Sequence, residues 1–161
     1  MIITIEILVL IVLFTFMISI MSKNPIATLY NYPPKIQERV KELEEYKDKI
    51  PTTVNKIIAK SIFTIMIVLI ISLILRYFNG YTTFIEGFGY SLLMWTIINI
   101  YDAIVIDILW FCHNPKFVFK GTEDMVEEYH NYWFHIKESF KGEVIGSVVC
   151  ILIGLVIQFI L

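Results

Sequence analysis

The chain has 161 residues, 13 of them basic and 15 acidic, for a formal net charge of -2. Hydrophobic residues make up 57% and charged residues only 17%, against about 25% in soluble domains, and the mean hydropathy is +0.72. This balance excludes an ordinary water-soluble domain, and the lack of a basic stripe with interleaved aromatics excludes nucleic acid as a partner.

The apolar residues are gathered into four blocks, each long enough for a helix through a hydrocarbon core about 30 Å thick. None alternates with period two, so β-barrel spans are excluded. The first block runs from Met1 to Met21. It lacks a basic n-region, contains Glu6 and ends in Met-Ser-Lys without a small-x-small cleavage site, so it reads as a retained helix rather than a signal peptide.

A polar loop, residues 22–56, follows. Pro33-Pro34 opens a predicted helix from Lys35 to Asp48, because proline is tolerated in a first turn. Ile36, Val40, Leu43 and Tyr46 recur at three and four residues, the stripe of an amphipathic helix on the membrane surface or against the other helices. Lys41 and Glu45 stand at i,i+4 for an ion pair.

The second span is predicted over Ile57 to Tyr77 and the third over Phe88 to Cys112. At about 100° per residue, Trp95, Asn99, Asp102, Ile106, Trp110 and His113 share one stripe of the third span, with Asp107 to one side. A carboxylate at the centre of a membrane helix costs about 2.5–3.5 kcal/mol, so the two aspartates must face protein, water or a cation. On a functional reading, Asp102 near mid-membrane and Asp107 nearer the cytoplasm bind a ligand, ion or proton in a polar cleft that Asn99, Trp110 and His113 extend. On a structural reading, ion pairs neutralise the charge: Lys60 at the depth of Asp107, and Arg76 with Glu6 or Glu86.

In the second polar loop, residues 113–143, Thr122 is a good N-cap, Glu123 and Asp124 suit a first turn, and Gly142 serves as a stop. The predicted helix runs from Glu123 to Lys141, with Met125, Tyr129, Tyr132, Ile136 and Phe140 as its apolar face and Trp133 at the interface. His130 and His135 read as solvated or hydrogen-bonded surface histidines. Glu127-x-x-His130 places two metal-ligand types on one face, but a di-iron bundle needs that motif twice. No span contains a histidine for a b-type haem, and no cofactor or metal is expected.

The fourth span, Val144 to Leu161, is the shortest and suits a helix near the membrane normal or a thinned bilayer. Gly146, Cys150 and Gly154, with Ser147, form a small-x-x-x-small face for close helix packing, first within the chain, with a homodimer as the alternative. Cys112 and Cys150 form no C-x-x-C and read as buried packing residues.

Lysine and arginine are concentrated in the two long loops, from Lys23 to Lys56 and from Lys116 to Lys141, whereas Arg76 alone lies near the turn between the second and third spans. The positive-inside rule then puts both loops in the cytoplasm and both termini outside. Each loop leaves its span through Asn-Pro (Asn24-Pro25 and Asn114-Pro115), runs on to a helix and enters a new span. This shared layout suggests a tandem pair of units, although side-chain identity between the halves is poor.

Asn31-Tyr32-Pro33-Pro34 with Lys35-Ile36-Gln37, and Gly121-Thr122-Glu123-Asp124-Met125 after the Asp102/Asp107 span, resemble a group of small uncharacterised bacterial polytopic membrane proteins. The likeness covers most of the chain and implies an inner-membrane location but no activity. The expected fold is all-α: a single membrane domain, a four-helix bundle with two cytoplasmic amphipathic helices. Membrane lipids are the expected partners, with a homodimer or a partner membrane subunit open. Three functions stay open: binding or transport of a small solute, cation or proton through Asp102 and Asp107; a structural or regulatory subunit of a membrane complex; and an enzyme acting on a lipid headgroup through Asp107, His113 and His130.

Overall fold

The computed structural model describes residues 2–50 and 52–161. Met1, the expected start of the first span, and the side chain of Lys56, counted among the basic loop residues, lie outside the described residues. The helices are α1 (Ile2–Met21), α2 (Pro34–Glu42), α3 (Thr53–Tyr77), α4 (Phe84–Tyr101), α5 (Val126–Tyr129) and α6 (Tyr132–Phe159), and α4 continues without a break as a π-helix, Asp102–Phe111. Among the described residues there is no strand. Four helices are long and apolar enough to cross a membrane: α1, α3, α4 with its π-helical continuation, and α6. No proline interrupts any of them, so each satisfies its interior backbone groups by itself, as lipid requires.

The chain divides into two compact units, each built from two stretches of sequence: Met1–Pro51 with Ile100–Ser139, and Thr52–Asn99 with Phe140–Leu161.

In the first unit, proline ends both spans in the same way. Pro25 and Pro115 have no amide hydrogen to continue a helix, and each opens a 3-10 turn, Pro25–Asn31 and Pro115–Phe117. At the second turn the Asn114 side chain accepts from the Lys116 amide at 3.1 Å. The two loops then share one core. Ile26, Leu29, Tyr32, Ile36 and Val40 from the first pack with Phe117, Phe119 and Tyr129 from the second. Tyr32 lies at its centre, with ring centroids 4.7 Å from Phe111, 4.9 Å from Phe119 and 6.2 Å from Tyr129. Burying each large side chain of this kind is worth about 1.5–3 kcal/mol.

The apolar positions Ile36 and Val40 are buried as their spacing predicts, while Lys35, Glu38, Arg39 and Lys41 stay exposed. The helix does not reach Asp48. It ends at Glu42 because Leu43 turns extended (φ -79°, ψ 121°) and lays its side chain over Gly121. Gly121 has φ +87°, a left-handed conformation that a residue with a Cβ rarely adopts. With the helix stopped, Lys41 and Glu45 do not form the expected pair: Lys41 sits over the Tyr30 ring, and Glu45 reaches Lys120 at 3.9 Å.

Thr122 is not an N-cap. It is fully buried, its hydroxyl donates to the Phe119 carbonyl at 2.7 Å, and its oxygen lies 2.7 Å from the Tyr129 hydroxyl. A threonine hydroxyl has one hydrogen, so Tyr129 must be the donor to Thr122, while its own oxygen accepts from the Phe119 amide at 3.0 Å. Thr122→Val would strand the Phe119 carbonyl and the Tyr129 hydrogen. It is expected to cost about 1–3 kcal/mol, measured by thermal unfolding in detergent.

In the second unit, Thr83-x-x-Glu86 forms a reciprocal capping box. The Glu86 carboxylate accepts from the Thr83 amide at 3.0 Å and the Thr83 hydroxyl accepts from the Glu86 amide at 3.3 Å. This cap starts α4 at Phe84, four residues before the predicted Phe88. The small-residue face of α6 packs within the unit, against α4: Gly146 against Trp95, and Gly154 against Phe84. Cys112, in the first unit, and Cys150, in the second, are both buried and free.

The largest departure from expectation is at the start of α6. A separate loop helix from Glu123 to Lys141, ended by Gly142, is not formed. The chain makes the single turn α5, breaks at His130-Asn131, and restarts at Tyr132 as one helix that runs through Gly142 to Phe159. Asn131 caps the restart by accepting from the Phe134 amide at 3.0 Å. Gly142 can stay helical because its backbone is not asked for a positive φ. The predicted continuous apolar face of the loop helix is divided: Tyr129 is buried, whereas Tyr132 and Phe140 are exposed.

Candidate functional site

The π-helical segment Asp102–Phe111 decides how the two aspartate carboxylates are presented. Its amides bond five residues back, and the pattern persists at the segment's end, where the Cys112 amide donates to the Asp107 carbonyl at 3.0 Å. In an α-helix, residues five apart stand about 140° from one another, which is why Asp107 was expected beside the Asp102 stripe. The wider π winding brings i and i+5 toward a common face. Asp102, Ile106, Asp107 and Phe111 accordingly line one cavity of about 100 Å³.

The opposite wall comes from the end of α1 and the turn after it: Ile18, Met21, Ser22, Thr28 and Asn31, with Phe117 closing the loop side. Asp102 is therefore not sealed at the midpoint of the helices. It opens toward their loop end, where the hydroxyls and the asparagine amide supply polar lining. One residue before it, the Tyr101 hydroxyl meets Thr15 Oγ1 at 2.8 Å, tying this helix to α1.

Asp107 is held by His135, whose Nδ1 lies 3.3 Å from the carboxylate. His135 is not a surface histidine. It is 2% exposed, with Phe111 and Phe134 edge-on at 5.2 Å from its ring, and its Nε2 is buried without a partner. Asp102 accepts no hydrogen bond and forms no ion pair among the described residues.

The remaining predicted site residues lie elsewhere. The Asn99 amide donates to Glu143 Oε2 at 2.8 Å in the second unit, and the Thr96 hydroxyl donates to Glu143 Oε1 at 2.5 Å. Trp110 stands edge-on to Phe117 at 5.2 Å and belongs to the loop packing. His113, just beyond the π-helix, has both nitrogens engaged. Nδ1 lies 2.9 Å from the Ile108 carbonyl, so it carries the hydrogen, and Nε2 then accepts from the Tyr132 hydroxyl at 3.1 Å. Its ring stacks on His130 at 5.2 Å beside a second cavity of about 190 Å³. Parallel stacking directs the two histidines' nitrogens side by side rather than toward a common point. Asp107, His113 and His130 do not hydrogen-bond with one another, as the lipid-headgroup reading requires. Arg76 donates to the carbonyls of Leu161 and Tyr81 at 3.2 and 3.4 Å, and Asp107, expected at the depth of Lys60, is paired with an imidazole.

Two participants escaped the sequence reading. Treating Gly142 as a helix stop hid His135. Stepping back from Gly146 by four, three and four along an unbroken helix gives Gly142, Ser139 and His135, so the buried face of α6 passes through all of them. Glu143, at the end of the second polar stretch of the sequence, stands three residues before Gly146 and four before Ser147 on that same helix.

Among the described residues no three His, Cys, Asp or Glu side chains converge to hold a metal ion. Comparison with protein families, characterised proteins and solved structures finds no match.

Proposed function

We propose that this chain is a four-helix bundle of a bacterial inner membrane, with both long loops cytoplasmic and both termini outside, that binds a small cationic solute, a cation or a proton at Asp102 and Asp107 as part of a transport process. The observation that carries this reading is the shared wall of one cavity: two carboxylates and the oxygens of Ser22, Thr28 and Asn31, with no lysine or arginine among the lining residues. A cavity of that make-up favours positive charge, and ionisable groups inside membrane helices are found where they serve a pathway or a bound ion. A π-helical stretch is itself rare and recurs at functional sites, and here it is what aligns the two carboxylates.

The close packing of Gly146 and Gly154 against α4 supports a bundle. The orientation follows from the loop lysines.

The reading is tested by melting the purified chain in detergent across pH and across sodium, potassium and magnesium. The wild type should gain thermal stability in an occupant-dependent manner, and Asp102→Asn should lose that gain while folding normally. Identical melting of both forms under every condition would remove the proposal.

A further inference from the structure

Resting on that reading of the cavity, we infer that its occupant is a proton taken up by Asp102, the carboxylate that His135 does not hold. The two carboxyl groups lie on one wall of one cavity, yet their surroundings differ. Asp107 has an N–H donor, His135 Nδ1 at 3.3 Å, and Asp102 has no hydrogen-bond or ion-pair partner among the described residues. Two like charges facing one cavity disfavour each other, and the member without a donor is the one that binds the proton.

His135 sits between Phe111 and Phe134, and its Nε2 is enclosed without an acceptor. His135 is therefore a positioning residue: it fixes the Asp107 carboxylate and leaves the exchangeable proton to Asp102. From α6, His135 is the titratable group that acts on Asp102 as well as on Asp107. The end of α1 and the turn after it contribute Ile18, Met21, Ser22, Thr28 and Asn31, and the second loop contributes Phe117. The remaining titratable group of this helix near Asp107 is the buried thiol of Cys112.

Uptake is a simple proton balance. One proton from the cavity water binds a carboxylate oxygen of Asp102, the charge of the pair falls from minus two to minus one, and no other bond changes. Asp102 and Asp107 are coupled, so the wild type titrates as a pair.

Infrared difference spectroscopy of the full chain in lipid vesicles reads the protonated-carboxyl stretch directly. Subtracting variant from wild type cancels every other carboxyl. The expected result is one carboxyl band that grows as pH falls and is lost in Asp102→Asn. In Asp107→Asn the band remains, with its midpoint lower by about one pH unit or more because the neighbouring charge is gone. His135→Asn, which keeps an N–H near the position of Nδ1, should leave the band in place, whereas His135→Leu, which leaves both carboxyl groups without a donor, should change its size. Should Asp102→Asn fail to fold, Asp102→Glu must move the band in frequency, and an unmoved band overturns the assignment.

A band of unchanged size in Asp102→Asn also overturns it. A band that ignores pH but is abolished by sodium, potassium or magnesium at fixed pH overturns the proton and leaves a metal cation as the occupant of the same cavity. No response to pH or to any cation sinks both the proton and the cavity reading.

Discussion

Tyr32→Ala is expected to destabilise the chain by about 3–5 kcal/mol, the usual cost of removing a fully buried aromatic ring. Tyr32 is 0% exposed and is ringed by Phe111, Phe119 and Tyr129, so its loss empties the centre of the core shared by the two loops. Limited proteolysis should then cut near Leu29 and Phe119 in the variant at temperatures where the wild type resists. Tyr32→Phe should behave in the opposite sense. The Tyr32 hydroxyl is buried without a hydrogen-bond partner, and deleting it removes an unpaid desolvation penalty of about 1–3 kcal/mol.

The same hydroxyl gives a pH signature. Burial, with Tyr129 beside it, raises the Tyr32 phenol above its ordinary value of 10.0. The folded state then keeps its proton where the unfolded chain would lose it. That contribution to stability is complete below pH 10.0 and declines as pH rises above it. An alkaline melt of the wild type should show this decline, and Tyr32→Phe should show less of it.

Gly146→Ala is the second substitution with a large expected effect. A methyl group at this position would fall 1.9 Å from Trp95 Cε2 and 2.0 Å from its Nε1. An indole is wide and rigid, so the helices rather than a flexible side chain must give way, at about 1–3 kcal/mol. Gly89→Ala is the control, because nothing stands within 4 Å of a methyl group there. A fall in melting temperature for Gly146→Ala, with a changed near-ultraviolet tryptophan signal, and no fall for Gly89→Ala would bear this out. Equal melting of the two variants would show that the close approach of α6 to Trp95 is not what holds the second unit together.

The apolar blocks and the stripe of α2 were legible because they depend only on composition and spacing. Ile36 and Val40 face inward wherever α2 packs, and Gly146, Cys150 and Gly154 permit close contact whatever their neighbour. What stayed hidden depends on partners distant in sequence or on backbone winding. Leu43 leaves the helix for Gly121, which lies far along the chain. Thr122 looked like a cap because a local motif cannot reveal that its hydroxyl is claimed by Phe119 and Tyr129. The π-helix has no proline or glycine to announce it. Under α-helical geometry Asn99, Trp110 and His113 line up with Asp102, whereas the wider winding turns Asp107 to it instead. His135 was missed for a single reason, the assumption that Gly142 breaks a helix, and that assumption concerned propensity where packing prevails.

The shared core of the loops sets an order on synthesis. Tyr32 leaves the ribosome well before Phe119 and Tyr129, and two membrane helices must be threaded before its partners exist. Until then Leu29, Tyr32, Ile36 and Val40 wait without cover, so a nascent chain halted ahead of residue 113 should present a chaperone- and protease-sensitive segment that the finished chain conceals. Closure of that segment is thereby a late event, one that waits until the third long helix and the loop after it have been made.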